Sequence, residues 1–274
     1  MGKLDNKVAV ITGSTRGIGK AIAHAFVEEG ARVVITSGRR TSVDKALKDY
    51  PESSVFGHAC DVSDYVEVEK LVAATVDRFG KLDIFINNAG ISDTFYNVTD
   101  SDPDEWGRII DINLKGTYYG TRAALNYFLK NDHPGKIINM AGSGTDKKSN
   151  TPYISAYGSS KAAIARFTFA VAEEYKNTPL SIMLLHPGLV RTDMVNTAQL
   201  TPEMKRQQQT FQTILDIFSQ PPSVAASLAV RMASENSGCK SGDYISALDQ
   251  KRRKWLLFTY PFRKLFGRID RRNY

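Results

Sequence analysis

Short apolar segments alternate with amphipathic segments of helical period along most of the chain, and this alternation restricts the folds open to it. The predicted strands are residues 7–12, 32–36, 55–59, 84–87, 136–140, 181–186 and 244–247. The predicted helices are residues 17–30, 43–48, 65–79, 104–128, 156–176 and 222–234. Strands that are joined through helices pair in parallel and bury both faces of their sheet. The pattern therefore predicts an α/β fold with one doubly wound parallel sheet of about seven strands.

The positive charge of the chain is concentrated near its end. The 274 residues carry a formal net charge of +7, yet residues 251–274 contain nine Lys and Arg residues and one Asp. That segment has a net charge of +8, which leaves −1 for residues 1–250. Eight large apolar side chains are interspersed with these charges: Trp255, Leu256, Leu257, Phe258, Tyr260, Phe262, Leu265 and Phe266. We therefore divide the chain into a single folded domain, residues 1–250, and a basic aromatic C-terminal tail, residues 251–274.

The composition of the tail is compatible with several partners. Cations mixed with aromatic side chains suit an anionic membrane surface, an acidic protein or a neighbouring subunit. Packing on its own domain with solvated charges is the plainest alternative. Pro261 and the lack of a helical apolar pattern predict no helix there, and no nucleic-acid-binding motif occurs in the sequence. We expect the aromatic side chains to pack on another subunit, with peripheral membrane contact as the alternative.

Cysteine and histidine content argues against disulfides and metal sites. Cys60 and Cys239 are too few for a disulfide framework and suit a reducing compartment. The four histidines show no metal-ligand spacing, so no metal is expected. The first residues form no apolar signal segment, and no apolar run in the sequence has membrane-spanning length. These features predict a cytoplasmic protein.

Tyr157 and Lys161 are four residues apart and share one face of the predicted helix 156–176. A Tyr hydroxyl ordinarily ionises near pH ~10, and a neighbouring ammonium favours the phenolate and lowers the pKa of the hydroxyl. The pair is therefore a candidate for general acid–base chemistry. Tyr260 and Lys264 repeat the spacing, but Pro261 lies between them, and we interpret that match as accidental.

A glycine-rich turn, residues 12–19, joins the first predicted strand to the first predicted helix. Its glycines permit a tight turn and a close approach of the helix N-terminus to a pyrophosphate. The spacing is Gly-x-x-x-Gly-x-Gly rather than the Gly-x-Gly-x-x-Gly of the usual dinucleotide fingerprint. A glycine turn that binds no ligand is the alternative interpretation.

Six motifs in this order resemble the short-chain dehydrogenase/reductase family, over roughly residues 5–248. They are Thr-Gly-Ser-Thr-Arg-Gly-Ile-Gly at 12–19, Cys-Asp-Val at 60–62, Asn-Asn-Ala-Gly at 87–90, Asn113 within Asp-Ile-Asn-Leu-Lys-Gly, Tyr157 with Lys161, and Pro-Gly-Leu-Val-Arg-Thr at 187–192. The resemblance implies a Rossmann-type fold and hydride transfer between a nicotinamide dinucleotide and a ketone, aldehyde or alcohol. It also implies a small-molecule substrate and a homodimer or homotetramer, with the predicted helices 104–128 and 156–176 at the interface.

The resemblance assigns roles to individual positions. The implied catalytic residues are Tyr157, Lys161, Ser143 and Asn113. The implied cofactor-binding residues are Gly13, Thr15, Arg16, Gly17, Ile18, Gly19, Ser37, Arg39, Arg40, Asp61, Val62, Asn88, Ala89, Gly90, Tyr157, Lys161, Pro187, Gly188, Val190 and Thr192. Asp61 would bind the adenine amino group, and Asn113 would support a proton path by kinking its helix.

The substrate-positioning serine departs from the family pattern. The family places it three residues after the Asn that ends the fifth strand and thirteen before the Tyr, which here gives Gly142 and Gly144. Ser143 lies between them, and an insertion in the following loop would restore its place. We favour Ser143 over Thr145, Ser149 or a missing serine.

Charge at the end of the second strand predicts the cofactor. An acidic residue there usually binds the ribose hydroxyls of a dinucleotide without the extra phosphate. Here the position holds Ser37, followed by Arg39 and Arg40, and Arg16 lies in the glycine turn. Arginine binds phosphate through charge-assisted hydrogen bonds, so NADP(H) is the predicted cofactor. Solvated arginines that bind no phosphate are the alternative.

Two other functions remain open at this stage. A dinucleotide-binding regulatory protein without turnover is compatible with the displaced serine, and an NAD(H)-dependent alcohol dehydrogenase differs only in cofactor. The polar stretch 192–222 follows a strand end and is a candidate substrate lid. The candidate pocket residues are Thr94, Phe95, Thr145, Tyr153, Met194 and Phe211, which do not identify a substrate.

Overall fold

The computed structural model describes residues 2–92, 96–146, 150–191 and 213–269. Seven strands form one sheet in the order β3-β2-β1-β4-β5-β6-β7, and each neighbouring pair is parallel. The strands are β1 Val8–Ile11, β2 Arg32–Ser37, β3 Val55–Ala59, β4 Ile84–Asn87, β5 Lys136–Met140, β6 Ser181–His186 and β7 Tyr244–Ser246. The predicted doubly wound, Rossmann-type sheet is confirmed.

Helices cover both faces of this sheet. In the described part of the chain the α-helices of at least eight residues are α1 Gly17–Glu28, α2 Arg40–Leu47, α3 Tyr65–Phe79, α4 Pro103–Ile110, α5 Gly116–Lys130, α6 Ser155–Glu174, α7 Pro222–Ala233 and α8 Gln250–Leu265. Strand side chains alternate between the two layers. On one face Ala9 and Ile11 of β1 pack with Phe26 of α1 and Ala229 of α7, and on the other Val8 and Val10 pack towards α3 and α5.

The strand order reverses between β1 and β4. The chain runs from β1 outward to β2 and β3, and then returns to β4 on the opposite side of β1. The connections that leave the carboxyl ends of β1 and β4 therefore diverge and leave a crevice between them. Ligands of open α/β sheets bind in such a crevice.

The helix predicted over residues 104–128 is interrupted. A π-helical turn, Asp111–Lys115, separates α4 from α5, and the Gly116 backbone N–H donates to the Asp111 carbonyl. The turn contains Asn113, at which a kink was expected. A single π turn inserts one residue into a helix and is common at functional sites.

The prediction that the tail contains no helix is wrong. Residues 250–265 form α8, whose N-cap Asp249 accepts a hydrogen bond from the Arg252 backbone N–H. Pro261 lies inside the helix at an exposed position, where it cannot donate a backbone hydrogen bond to the Leu257 carbonyl. Leu256, on the inner face, is 3% exposed and packs the helix on the domain.

The polar stretch that was predicted as a lid falls mostly outside the described residues, which resume at 213. Residues 213–218 are helical, and Leu189 and Ser219 form an isolated parallel bridge. None of the described helices is both long enough and apolar enough to cross a bilayer.

Candidate active site

A groove of about 650 Å³ lies at the carboxyl edge of the sheet, in the crevice between β1 and β4. Sixteen residues predicted to bind cofactor line it: Gly13, Thr15, Arg16, Gly17, Ile18, Gly19, Ser37, Arg39, Asp61, Val62, Asn88, Ala89, Gly90, Tyr157, Lys161 and Pro187. Arg40, Gly188 and Val190 are described but are not in this lining, and Thr192 lies outside the described residues. The fold thus brings motifs that are far apart in sequence to one groove.

The glycine turn leaves space for a ligand beside the start of α1. Gly13 and Gly17 have φ values of +64° and +56°, which side chains rarely tolerate. A Cβ at Gly13 would lie 2.9 Å from the Ala89 Cα, so a larger residue would intrude on the turn that follows β4. The first turn of α1 has no side-chain cap from Arg16, and its backbone N–H groups suit a pyrophosphate.

Thr12 and Asn88 join the glycine turn to the end of β4. The Thr12 Oγ1 accepts hydrogen bonds from the backbone N–H groups of Asn88 and Ala89, each at 2.9 Å. The Asn88 Nδ2 donates to the carbonyls of Thr12 and Gly13 at 2.8 and 3.1 Å. The Asn88 amide therefore shapes the groove from behind. Sequence analysis gave Thr12 no role, although its place between a strand end and a glycine was a usable signal.

Asp61 and Val62 form the rim of the groove next to β3. The Asp61 Oδ1 accepts from both the backbone N–H and the hydroxyl of Ser63, at 2.9 and 2.7 Å, which orients the carboxylate at an exposed position. Val62 is 8% exposed, and a Cβ on Gly116 would lie 2.8 Å from its Cγ2. This arrangement suits a planar base that packs on Val62 with its amino group near Asp61.

Two arginines, Arg39 and Arg40, follow the end of β2, and only Arg39 lines the groove. Arg39, Ser37 and the turn residue Arg16 line the groove, and the Ser37 hydroxyl lies 3.4 Å from the Arg39 backbone N–H. The Arg40 Nε donates instead to Asp44 at 2.9 Å, and Arg40 lines a separate surface pocket. The structure therefore does not bring Arg40 into the groove.

Lys161 is buried at the base of the groove. Its side chain lies one turn from Tyr157 on α6, with Nζ 5.7 Å from the centroid of the Tyr157 ring, and Nζ donates to the Met140 carbonyl at 3.0 Å. Burial lowers the pKa of the Lys161 ammonium to about 8. The Tyr157 hydroxyl lies against Gly142, because a Cβ at Gly142 would contact the phenolic oxygen. The predicted pair thus meets the end of β5.

Asn113 links the π turn to the catalytic helix. Its Oδ1 accepts from the Ile91 backbone N–H at 2.8 Å, and its Nδ2 donates to the Ile91 carbonyl and to the Ser160 Oγ at 2.9 and 3.1 Å. The Ser160 hydroxyl in turn donates to the Tyr157 carbonyl at 2.7 Å. The Asn113 side chain therefore positions the Tyr157 turn of α6. Ser160 was missed, although it directly precedes Lys161.

A buried set of amides and hydroxyls lies beneath the site and was also missed. The Asn87 Nδ2 donates to the Asn139 Oδ1 at 2.8 Å and to the Thr121 Oγ1 at 3.1 Å, and the Asn139 Nδ2 donates to the Thr168 Oγ1 at 3.0 Å. These bonds connect the ends of β4 and β5 to α5 and α6. The one available signal was that both strands end in or near an Asn.

Ser143 and Thr145, the two described candidates for the substrate-positioning hydroxyl, differ in placement. Ser143 is exposed. Thr145 folds back on Gly142: its backbone N–H donates to the Gly142 carbonyl, and its Oγ1 accepts from the Gly142 N–H, both at 3.1 Å. Gly142 also contacts the Tyr157 hydroxyl. The Thr145 hydroxyl is therefore hydrogen-bonded to a residue that lies next to the Tyr157 hydroxyl. Ser149, the third candidate, lies outside the described residues.

The segment after β6 turns at a histidine that sequence analysis did not single out. The His186 Nδ1 accepts from the Gly188 backbone N–H at 3.1 Å, and Gly188 has a φ of +80°. Burial lowers the pKa of His186, which keeps its ring neutral and its Nδ1 able to accept. Val190 is buried, so it supports this turn from the core instead of lining the groove. The turn places Pro187 at the groove.

The sequence of the chain matches a known family over most of its length. A family model described as short chain dehydrogenase matches residues 7–203. The chain belongs to the short-chain dehydrogenase family. Members of this family are oxidoreductases that use nicotinamide dinucleotides and act on alcohols or carbonyls. The predicted family is confirmed.

Similar proteins include enzymes with different named substrates. The NADP-dependent (R)-specific alcohol dehydrogenase of Lentilactobacillus kefiri is 34% identical over 244 residues, which cover 88% of this chain and 94% of that protein. A rice protein (Oryza sativa subsp. japonica) named "Probable chlorophyll(ide) b reductase NYC1, chloroplastic" is 32% identical over 256 residues, which cover 86% of this chain and 49% of that protein. The chain thus spans about half the length of the rice protein and of its Arabidopsis thaliana counterpart (49% and 50%).

A solved structure shares the fold. The crystal structure of a short chain dehydrogenase from Mycobacterium smegmatis superposes with a TM-score of 0.76 at 27% identity, covering 91% of this chain and 95% of that chain.

The buried ammonium predicts a pH-dependent stability in the cofactor-free protein. The pKa of Lys161 is about 8 in the folded chain and ordinarily 10.5, so the unfolded chain binds more protons between these values. Stability should therefore rise with pH across that window. Relative to Lys161→Met, the free energy of unfolding of the native chain should rise by up to about 3 kcal/mol between pH 8 and 10.5, measured by urea titration. Lys70→Met, which removes an exposed lysine of α3, is the matched control. A difference that stays constant with pH contradicts the assignment.

Proposed function

We propose that this chain is an NADP(H)-dependent oxidoreductase that interconverts a ketone or aldehyde and an alcohol, with Tyr157 as general acid and base. The observation that carries the proposal is the buried Lys161 ammonium one turn from Tyr157, at a groove lined by the dinucleotide motifs. The turn with Gly13 and Gly17 at positive φ, and the start of α1 that the Arg16 side chain does not cap, fit a dinucleotide pyrophosphate. When bound, the nicotinamide would supply the hydride in reduction and accept it in oxidation.

Residues of the protein transfer the proton that accompanies the hydride. The Tyr157 hydroxyl donates its proton to the carbonyl oxygen in reduction and takes it back from the alcohol in oxidation. The Lys161 ammonium stabilises the phenolate that remains, because two opposite charges attract strongly where water is excluded. Lys161 keeps this orientation through its bond to the Met140 carbonyl. Asn113 and Ser160 hold the helix turn that presents both side chains.

Replacement of Tyr157 by Phe tests the proton donor. The change removes only the hydroxyl, so turnover should fall by about 10²–10⁴ while cofactor affinity stays within about threefold. A panel of ketones and aldehydes followed by NADPH absorbance gives the rate, and calorimetry gives the affinity. Tyr175→Phe, at the far end of α6, is the control and should leave both unchanged. Activity retained in Tyr157→Phe would contradict the assignment of Tyr157 as the proton donor. An inactive native chain that still binds NADPH would favour the regulatory alternative.

We also propose that Thr145 is the hydroxyl that positions the substrate oxygen. Ser143 was favoured from the sequence, but the position of Thr145 next to Gly142 supports Thr145 more strongly. Its Oγ1 already accepts from the Gly142 N–H, which directs the hydroxyl proton to another acceptor, and Gly142 borders the Tyr157 hydroxyl. Ser143 is exposed.

Three single variants separate the two hydroxyls. Thr145→Val keeps the shape and removes the hydroxyl, so kcat/KM should fall by about 10- to 100-fold, the cost of one or two hydrogen bonds. Thr145→Ser should restore activity, and Ser143→Ala should change it by less than about threefold. The opposite pattern, a loss in Ser143→Ala with an active Thr145→Val, returns the role to Ser143.

We propose NADP(H) over NAD(H) on the charge at the end of β2. Arg39 and Arg16 line the groove there, Ser37 replaces the usual acid, and the two arginines can bind a 2′-phosphate from opposite sides. The named cofactor of the Lentilactobacillus kefiri relative agrees with this choice.

Substitutions around Ser37 test the cofactor. Ser37→Asp and Arg39→Ala should each lower the ratio of kcat/KM for NADPH to that for NADH by about tenfold or more, because the first repels the phosphate and the second removes a charge-assisted bond. Arg40→Ala is the matched control, since Arg40 pairs with Asp44 outside the groove. A native preference for NADH refutes the proposal.

We further propose a homodimer or homotetramer that forms through α5 and α6, and a cytoplasmic location. Support for the interface comes from Tyr118, Leu129 and Phe169, whose side chains are 40%, 48% and 38% exposed on these helices. Not every apolar residue of this region is available for the contact, because Ile109 of α4 and Val171 of α6 are buried in the chain's own core. The two cysteines are free, which suits a reducing compartment.

A further inference from the structure

Helix α8 has two apolar faces, and the domain covers one of them. On the inner face Leu256 is buried, and Arg263 Nη2 donates to the Ile217 carbonyl at 2.9 Å. The other face carries Trp255, Phe258, Phe262 and Leu265, spaced three and four residues apart so that they form one stripe. We name this stripe the outer face.

The apolar side chains of the outer face are largely exposed to solvent. Phe258, Phe262 and Leu265 are 75%, 58% and 78% exposed, and Trp255 is half exposed. The neighbouring Phe266 is 66% exposed. A contiguous apolar surface of this kind marks an interaction site.

The cations of α8 divide into two groups. Arg252 Nε donates to the Gln220 Oε1 at 3.2 Å, Arg253 lies 4.0 Å from Asp146, and Arg263 holds Ile217, so these three serve the fold. Lys251, Lys254 and Lys264 are exposed and have no ion pair within the described residues. Helix geometry places Lys251 and Lys254 on or beside the outer face and Lys264 on the flank of the helix, and all three remain available to a partner.

Charge decides which partner fits. Residues 250–269 contain seven cations and no Asp or Glu, so a second copy of α8 laid on the first would oppose like charges. A surface that presents anions next to an apolar layer satisfies both the lysines and the aromatic stripe at once. A basic amphipathic helix with Trp and Phe on its apolar face is suited to the plane of an anionic bilayer.

We propose that the outer face of α8 docks this enzyme on an anionic lipid bilayer. The helix lies parallel to the membrane, its phenylalanines enter the acyl boundary, and Lys251, Lys254 and Lys264 bind lipid phosphates. Through Arg253 and Asp146 the same helix adjoins the loop after β5 that carries Thr145. Docking therefore sets the mouth of the site near the lipid surface.

Co-sedimentation of the full chain with vesicles tests this surface. Phosphatidylcholine vesicles with about a third phosphatidylglycerol should bind the chain at least tenfold more tightly than phosphatidylcholine alone, because each lysine near an anionic surface contributes about fivefold. Binding should weaken as NaCl rises from 50 to 500 mM, since salt screens the attraction. Binding equal on both vesicle types, or on neither, overturns the proposal.

Variants assign the binding to the outer face. Phe258→Ser with Phe262→Ser, and separately Lys251→Gln with Lys254→Gln and Lys264→Gln, should each lower binding by about tenfold or more. Val98→Ser with Val66→Ser is the control, because these apolar side chains are similarly exposed (72% and 54%) away from α8 and should not matter. The lysine variant leaves the packing of α8 intact, so its loss of binding cannot come from unfolding. Full binding by both α8 variants overturns the proposal. So does a fall in the lipid-free mass of Phe258→Ser/Phe262→Ser by light scattering, which would make the face a contact between copies.

Discussion

The burial of the Lys161 ammonium is the constraint on which the arrangement of the site depends. An ammonium loses its hydration on burial, and the structure compensates with the Met140 carbonyl at the end of β5. That bond ties α6 to the carboxyl end of β5. Once α6 is placed, Tyr157 lies over Gly142, where a side chain would collide with the phenolic oxygen. The Tyr157 hydroxyl can therefore occupy this position because Gly142 has no Cβ.

Buried polar groups extend this constraint into the core. Asn87 and Asn139 bind each other across neighbouring strand ends, and through Thr121 and Thr168 they attach α5 and α6 to the sheet. A buried amide that loses its partner costs more than the bond contributes, so these residues favour a single register between helix and strand. The precision of the site therefore arises beneath it, in residues that do not line the groove.

Much of the fold followed from the sequence because each strand is a short apolar run between turn residues. The predicted strands match β1 to β7 within one or two residues, and the motif residues converge on one groove because parallel strands place their carboxyl ends together. The family motifs predicted most of the groove lining in the same way.

What the sequence could not predict depends on geometry that no periodicity encodes. The π turn at Asn113 breaks an otherwise continuous helical pattern. The choice between Ser143 and Thr145 depends on how a short loop folds back on Gly142, and the direction of Arg40 depends on Asp44 one turn away. In α8, Pro261 argued against a helix, but it lies at an exposed position inside one that packs on the domain through the buried Leu256.

The rotation of α5 about its own axis also depends on the number of residues in the π turn Asp111–Lys115. One extra residue in a helix rotates everything that follows by about 100° around its axis. Deletion of a single residue between 111 and 115 would restore a regular helix and would turn either Asn113 away from Ile91 or Thr121 away from Asn87. The catalytic side of the helix and its core side are thus held in phase by one additional residue.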